Sequence, residues 1–270
     1  MMSSFQSTHG YSRARMEYFI SMLMKNNVRE VLEGVFMAWY CVFTPLKIRV
    51  NDGPKFVGYY DLLEEPYCKK CSSPGVKTED CILQDWVYGF NRVYALGKYI
   101  SYERSKDNLL SSHIRFLKYS SQKQCSIPLG SALSLFVKNK YPELLNADYI
   151  VPVPAHKSKI SKRGYNQTEL LMAEYCKNTS QKSLLCLEQL KDIEFASMKL
   201  GLAKRYEQVK GMFKLQPSFY DVISGKYILL LDDVVTSCSQ SSECSRLLIN
   251  HGADKVDVLA LGRNVLDDTI

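Results

Sequence analysis

Long hydrophobic runs are missing from this chain of 270 residues. The longest apolar stretch near the N-terminus, Val35 to Leu46, is well short of the roughly 20 residues that a membrane-spanning helix requires, and Lys25 to Glu30 interrupts the region before it. No membrane span is therefore expected. A secretory leader combines a basic start, an uninterrupted apolar core and a small-residue cleavage site. The opening MMSSFQSTHGYSRARM carries only scattered arginines, which predicts a cytoplasmic protein. Two glycine-rich phosphate fingerprints are missing as well. Gly97-Lys98 and Gly225-Lys226 are each followed by tyrosine and lack the upstream glycine of an NTPase loop, and no Gly-x-Gly-x-x-Gly occurs, so neither NTPase nor dinucleotide binding has a signature. Histidine is scarce. His9, His113, His156 and His251 show no metal-ligand spacing and none reads as a catalytic base; His251, just before Gly252, reads as a cation at a helix C-terminus.

What is present is the composition of a globular protein, 46% apolar, with a net charge of +7. The length suits one large domain or two small ones. The basic balance permits an anionic partner, nucleic acid or a phosphorylated metabolite, without choosing between them. Cations cluster at Lys157, Lys159, Lys162 and Arg163. In a cytoplasmic chain the nine cysteines should be reduced and serve packing, metal binding or chemistry, not a disulfide framework.

Along the chain, residues 1–14 read as a loose polar tail, and the helical apolar spacing from Arg15 to Tyr40 predicts packing helices within a helical region over residues 1–60. A small cysteine-containing module over residues 61–87 follows, and residues 88–270 have the rhythm of an α/β domain. Phe90 to Tyr102 predicts a strand or hairpin, and Leu109 to Tyr119 and Leu129 to Asn139 predict helices. Strands at Tyr149–Val153, Tyr227–Leu231 and Val256–Leu261 then alternate with helices at Asn166–Cys176 and Ser239–Asn250. Alternation of this kind implies parallel pairing, and the unbroken run Ile228 to Leu231 is that of a strand buried on both faces. The expected architecture is an open, mostly parallel sheet with flanking helices.

That buried strand ends in Asp232 and Asp233. In open α/β sheets ligands bind beyond the carboxyl ends of the strands, so the position marks a site. Thr236, Ser237, Cys238, Ser239 and Gln240 follow and lead into a helix. Ser237 with Gln240 three residues on has the form of a capping box, so outward amides at a helix N-terminus, with hydroxyls beside them, predict a phosphate cradle.

YILLLDDVVTSCSQ, Tyr227 to Gln240, resembles the phosphoribosyl pyrophosphate motif of type I phosphoribosyltransferases, an apolar strand followed by Asp-Asp-Val-x-Thr-Thr/Ser-Gly-x-Thr. DYIVPVPAHKSKISKRGYNQTELL, Asp148 to Leu171, is similar to the signature of the ComF family, phosphoribosyltransferase-like proteins linked to DNA uptake in natural competence. KRYEQVKGMF, Lys204 to Phe213, resembles a third ComF stretch, with Gln208 where asparagine is usual. Together these cover about Tyr67 to Asn264. The resemblance implies a phosphoribosyltransferase-like fold in which Asp232 and Asp233 hold ribose hydroxyls, directly or through Mg2+, and residues 236–240 cradle the 5-phosphate. It places His156, Lys157, Lys159, Lys162, Arg163 and Gly164 in a loop near the pyrophosphate, where Arg163 can bind two oxygens in a fork. Asn166, with Glu169 three residues on, reads equally as part of that loop or as a helix cap.

The implied function is binding of phosphoribosyl pyrophosphate or a related sugar phosphate with Mg2+, and transfer of phosphoribose to an acceptor the sequence does not name. A second reading is a non-enzymatic DNA-uptake factor that tracks single-stranded DNA with the same basic loop and works with proteins of the uptake machinery. Tyr165, Trp86, Tyr88 and Phe90 are then the stacking candidates.

Two departures bear on these expectations. The family loop has glycine where this chain has Cys238, and usually threonine where it has Gln240; a cysteine needs room and should force another backbone path, which leaves catalysis open. A thiolate at Cys238, activated by the helix N-terminus, is a minor alternative. Cys68, Cys71 and Cys81 have the spacing of a zinc knuckle, a module ComF proteins often carry, but the fourth position is Gln84. Completion by Asp85 or a distant residue, and a relic module held by packing, both stay open.

Overall fold

The computed structural model describes residues 56–57, 60–81, 89–100, 108–192 and 202–264. The helices expected from Arg15 to Tyr40, and Trp86 and Tyr88, lie outside the described residues. In chain order the strands and α-helices are β1 (Phe56–Val57), β2 (Tyr60–Asp61), β3 (Val93–Tyr99), α1 (Leu109–Tyr119), α2 (Ser126–Lys140), β4 (Tyr149–Pro152), α3 (Lys157–Arg163), α4 (Gln167–Thr179), β5 (Leu187–Gln189), α5 (Leu202–Val209), β6 (Phe213–Leu215), α6 (Tyr220–Ile223), β7 (Tyr227–Val235), α7 (Ser239–Asn250) and β8 (Lys255–Asn264).

Four strands form the central sheet in the order β3-β8-β7-β4, every neighbouring pair parallel. The segment expected as strand or hairpin is one strand, β3, because its register partners lie on β8 and not within the segment. Two antiparallel pairs, β1 with β2 and β5 with β6, stand outside this sheet.

Period-two alternation sends the apolar residues of β7 and β8 into two separate cores. Leu229, Leu231, Leu259 and Leu261 pack against α1, α2 and α4 through Ile114, Leu133, Leu171 and Tyr175. Ile228, Leu230, Val256, Val258 and Ala260 join Cys244 and Leu248 of α7 and the cysteine segment on the other face. Burial on both faces is why these strands carry no polar alternation. The helices that follow β4 and β7 leave to opposite faces, which makes the adjoining carboxyl ends of those two strands the switch point of the sheet. Asn108 caps α1 through its side chain, accepting from Ser111 N at 2.7 Å. Among the described residues, no helix is long and apolar enough to cross a membrane.

Where α2 crosses α4, the two backbones come together at Gly130. A Cβ added there would lie 2.6 Å from Glu174 Cβ and 3.1 Å from Leu171 O. In an unobstructed helix interior, glycine to alanine stabilises by about 0.5–1 kcal/mol. Gly130→Ala is expected to reverse that sign and lower the urea midpoint at unchanged m-value.

Candidate functional site

A cleft of about 950 Å³ opens at the carboxyl ends of β4 and β7. Asp232 and Asp233 form its floor, residues 234–241 one wall, and Lys118, Lys159, Lys162, Arg163, Gln167 and Arg205 supply cations and an amide around it. Tyr99, Arg115 and Tyr119 complete the side formed by β3 and α1.

Alternation along β7 separates the two aspartates. Asp233, on the face of α1 and α4, receives Lys118 Nζ at 2.8 Å on Oδ1 and Gln167 Nε2 at 2.9 Å on Oδ2. Arg163 donates in turn to Gln167 Oε1, so α3, α4, β7 and α1 are joined through side chains at the cleft. Asp232, on the α7 face, accepts from Ser241 Oγ at 3.3 Å and from the backbone N–H of Asp233 at 2.8 Å. Both carboxylates are buried. Burial and the adjacent charge of Asp233 push the Asp232 carboxyl up to about 7, with Lys118 opposing the shift. For Lys118, burial alone would lower the pKa, but Asp233 and Tyr119 outweigh it and the pKa is raised.

The turn after β7 corrects two expectations. Cys238 does not divert the backbone: it adopts φ 61° and ψ 4°, the left-handed conformation that glycine would take, and its thiol packs in the core with Cys244 and Val235. Such a conformation costs an L-residue on the order of 1–2 kcal/mol, which burial of the thiol helps to offset. Nor is Ser237 the helix cap. Cys238 holds that position with no side-chain cap bond, because the left-handed residue directly precedes Ser239, the first residue of α7. Ser237 Oγ instead meets Ser239 Oγ at 2.9 Å. Burial pushes the Cys238 thiol up to about 12, so it stays protonated and has no nucleophilic character at neutral pH.

The basic segment is not a loop but the short helix α3. His156 caps it by accepting from Ser158 N at 3.2 Å, and Gly164, at φ 85°, ends it. A helix turns its side chains through all directions, so the six residues expected together are divided. Lys159, Lys162 and Arg163 line the cleft; Lys157 pairs with Glu188 at 3.1 Å, and His156 lies 3.5 Å from Asp192. Asn166 is the cap of α4, accepting from Thr168 N at 3.2 Å. Tyr165 donates to Leu117 O at 2.6 Å and is half-buried against the core, while Phe90 is buried and presents no stacking face. Lys118, Arg115, Tyr99, Tyr119 and Arg205 were not singled out from the sequence. Arg205 lies inside the stretch KRYEQVKGMF, and Tyr99, Lys118 and Tyr119 stand at the ends of β3 and α1; Arg115 had no such signal.

The thiols of Cys68, Cys71 and Cys81 are buried and lie within 4.8 Å of one another, with Cys71 and Cys81 3.4 Å apart. Burial alone would raise the Cys71 pKa, but the Arg263 guanidinium and hydrogen bonds from Ser73 lower it below the usual thiol value. Three converging soft donors fit three of the four positions of a tetrahedral zinc site. Gln84 and Asp85 lie outside the described residues.

A wholly parallel central sheet with flanking helices and an acidic strand end at its switch point gives this chain a phosphoribosyltransferase-like α/β fold. More particularly, its sequence is similar to those of proteins named for competence and DNA utilization. The chain is 26% identical over 204 residues to Competence protein F of Haemophilus influenzae, covering 73% of this chain and 85% of that one. It is 29% identical over 163 residues to DNA utilization protein YhgH of Escherichia coli, covering 58% and 68%. No protein-family model matches it. Among solved structures it overlays on glutamine phosphoribosylpyrophosphate amidotransferase from B. subtilis with a TM-score of 0.38 and 14% identity, over 55% of this chain and 30% of that one.

The acidic pair has a measurable signature. The native state binds the Asp232 proton more tightly than the unfolded chain, whose aspartates titrate near 3.8. Its contribution to stability is therefore complete below about pH 4 and is lost as pH rises through about 7. Urea unfolding across pH 4–8 is expected to show a decline that Asp232→Asn flattens. In Lys118→Met the Asp232 transition, followed by carboxyl 13C NMR, is expected to move to higher pH, because a cation that opposed the shift is gone.

Proposed function

We propose that the cleft binds the ribose and phosphates of phosphoribosyl pyrophosphate or a related sugar phosphate. One observation carries this reading. A single strand and the turn after it bring together two buried carboxylates, which accept hydrogen bonds, and a run of hydroxyls and amides, which donate them. Ribose hydroxyls match the first and a 5-phosphate the second. Lys159, Lys162 and Arg163 supply the charge for a pyrophosphate, and Arg163, already turned to Gln167, adds a forked donor.

The donor set of Asp232, Asp233 and the neighbouring hydroxyls is all oxygen, which fits Mg2+. Because Lys118, Gln167 and Ser241 already occupy carboxylate oxygens, these residues would hold the ion in part through its water. An ion held there would supply neutralising charge to the pyrophosphate. The reaction such a site would serve is phosphoribose transfer, in which ribose C1 bonds to an acceptor nucleophile as its bond to pyrophosphate breaks, while the α3 cations stabilise the leaving anion. We assign zinc to Cys68, Cys71 and Cys81 on the chemistry of their donors.

A second reading has its own support. Tyr119 is 74% exposed at the end of α1, beside the cleft cations Arg115 and Lys118. The relatives are named for competence and DNA utilization. An exposed aromatic among cations is the arrangement that holds single-stranded DNA.

Calorimetric titration with phosphoribosyl pyrophosphate and Mg2+ tests the first reading. Saturable binding by the wild type, abolished in Asp232→Asn/Asp233→Asn, is the expected result; no binding up to millimolar ligand overturns it. DNA binding instead would survive that double substitution, weaken in Tyr119→Ala and fall steeply with salt.

A further inference from the structure

Arg263, near the end of β8, is buried and bonded on two sides. On one, Nε donates to Cys71 O at 2.8 Å and Nη2 to Ser73 Oγ at 2.8 Å, with Cys71 Sγ 4.0 Å from Nη2. On the other, Nη1 donates to Val235 O at 3.0 Å and to Thr236 O. One guanidinium thus joins the three-thiol module to the first residues of the anion turn.

The second set of bonds has a directional consequence. In an extended strand successive carbonyls point to alternate sides, whereas those of Val235 and Thr236 converge on one nitrogen. In a planar trans peptide the N–H points opposite to the C=O. The N–H groups of Thr236 and Ser237 therefore share the side away from the guanidinium, and both residues line the cleft. Successive amides turned to one side form an anion-binding nest.

We propose that Arg263 is a positioning residue for the anion turn and that, through it, the Cys68–Cys71–Cys81 module sets the affinity of the cleft for phosphate. The affinity part rests on the ribose-phosphate reading; the orientation of the amides does not. Substituting Ser73 removes one acceptor of the guanidinium, together with the 3.1 Å contact of Ser73 Oγ with Cys71 Sγ, and so reaches the cleft from the module side without touching a cleft residue.

The test compares folded wild type, Arg263→Gln and Ser73→Ala by amide hydrogen exchange and by calorimetry with two probes, ribose 5-phosphate and inorganic pyrophosphate. Losing charged donors to the turn is expected to weaken ribose 5-phosphate by about tenfold or more in Arg263→Gln. Pyrophosphate, held by the α3 cations, should stay within about twofold, since a single RT unit separates values that close. Exchange at residues 236–238 should rise in Arg263→Gln, and to a smaller extent in Ser73→Ala, with the middle of β7 unchanged. Equal weakening of both probes would mean a general structural loss and would overturn the proposal, as would wild-type exchange at residues 236–238 in either variant. Should the wild type bind no ribose 5-phosphate, the ribose-phosphate reading fails and exchange alone decides the positioning role. Should Arg263→Gln fail to fold, unchanged exchange in Ser73→Ala overturns the proposal and raised exchange supports it.

Discussion

A buried guanidinium must satisfy its donors with protein, because leaving an ionised group unpaired in a dry interior costs several kcal/mol. Arg263 meets that demand with backbone carbonyls and a hydroxyl drawn from segments far apart in sequence, Cys71 to Ser73 and Val235 to Thr236. Among the described residues no carboxylate pairs with it. The cysteine segment and the turn after β7 thus supply acceptors to one guanidinium at the sheet end, and neither can move without stranding one of its donors. Among the described residues its charge meets carbonyl and hydroxyl dipoles and no carboxylate, which leaves behind the turn a field of the sign an anion requires.

The acidic pair follows a similar logic with the opposite sign. Adjacent residues on a strand cannot share a face, so Asp232 and Asp233 reach into different layers and are satisfied by different helices. This spreads two negative charges that would otherwise crowd one pocket. It also ties the cleft floor to α1 and α4 on one face and α7 on the other. A sugar bound across the strand end would contact groups positioned by both cores.

Much of this was legible in the sequence because it depends on local pattern. The boundaries of α1 and α7 match the apolar periodicity to the residue, and the continuous apolar run of β7 announced burial on both faces. Segment α3 was misread as a loop because seven residues rich in lysine offer no apolar stripe; its ends are set by His156 and Gly164 instead. Cys238 defeated a rule about glycine, since the core pocket that accepts its thiol exists only in the folded chain. Lys118 and Arg263 carried no motif at all. A lysine in the last turn of a helix and an arginine at a strand end are common on any surface, and Asp233 for the one and Cys71 for the other lie more than a hundred residues away in the chain.

The strand order has a consequence for how the molecule comes to exist. Val93 of β3 pairs with Val258 of β8, while β4 pairs with β7, so the contacts that close the sheet are among the most distant in the chain. Loop-closure entropy must be met before such pairings return any free energy, which slows their formation. During synthesis β3 waits for β8, and its apolar residues must be shielded until that strand emerges. The cysteine segment and the turn after β7, both bonded to Arg263 of β8, share that dependence on the last strand of the sheet.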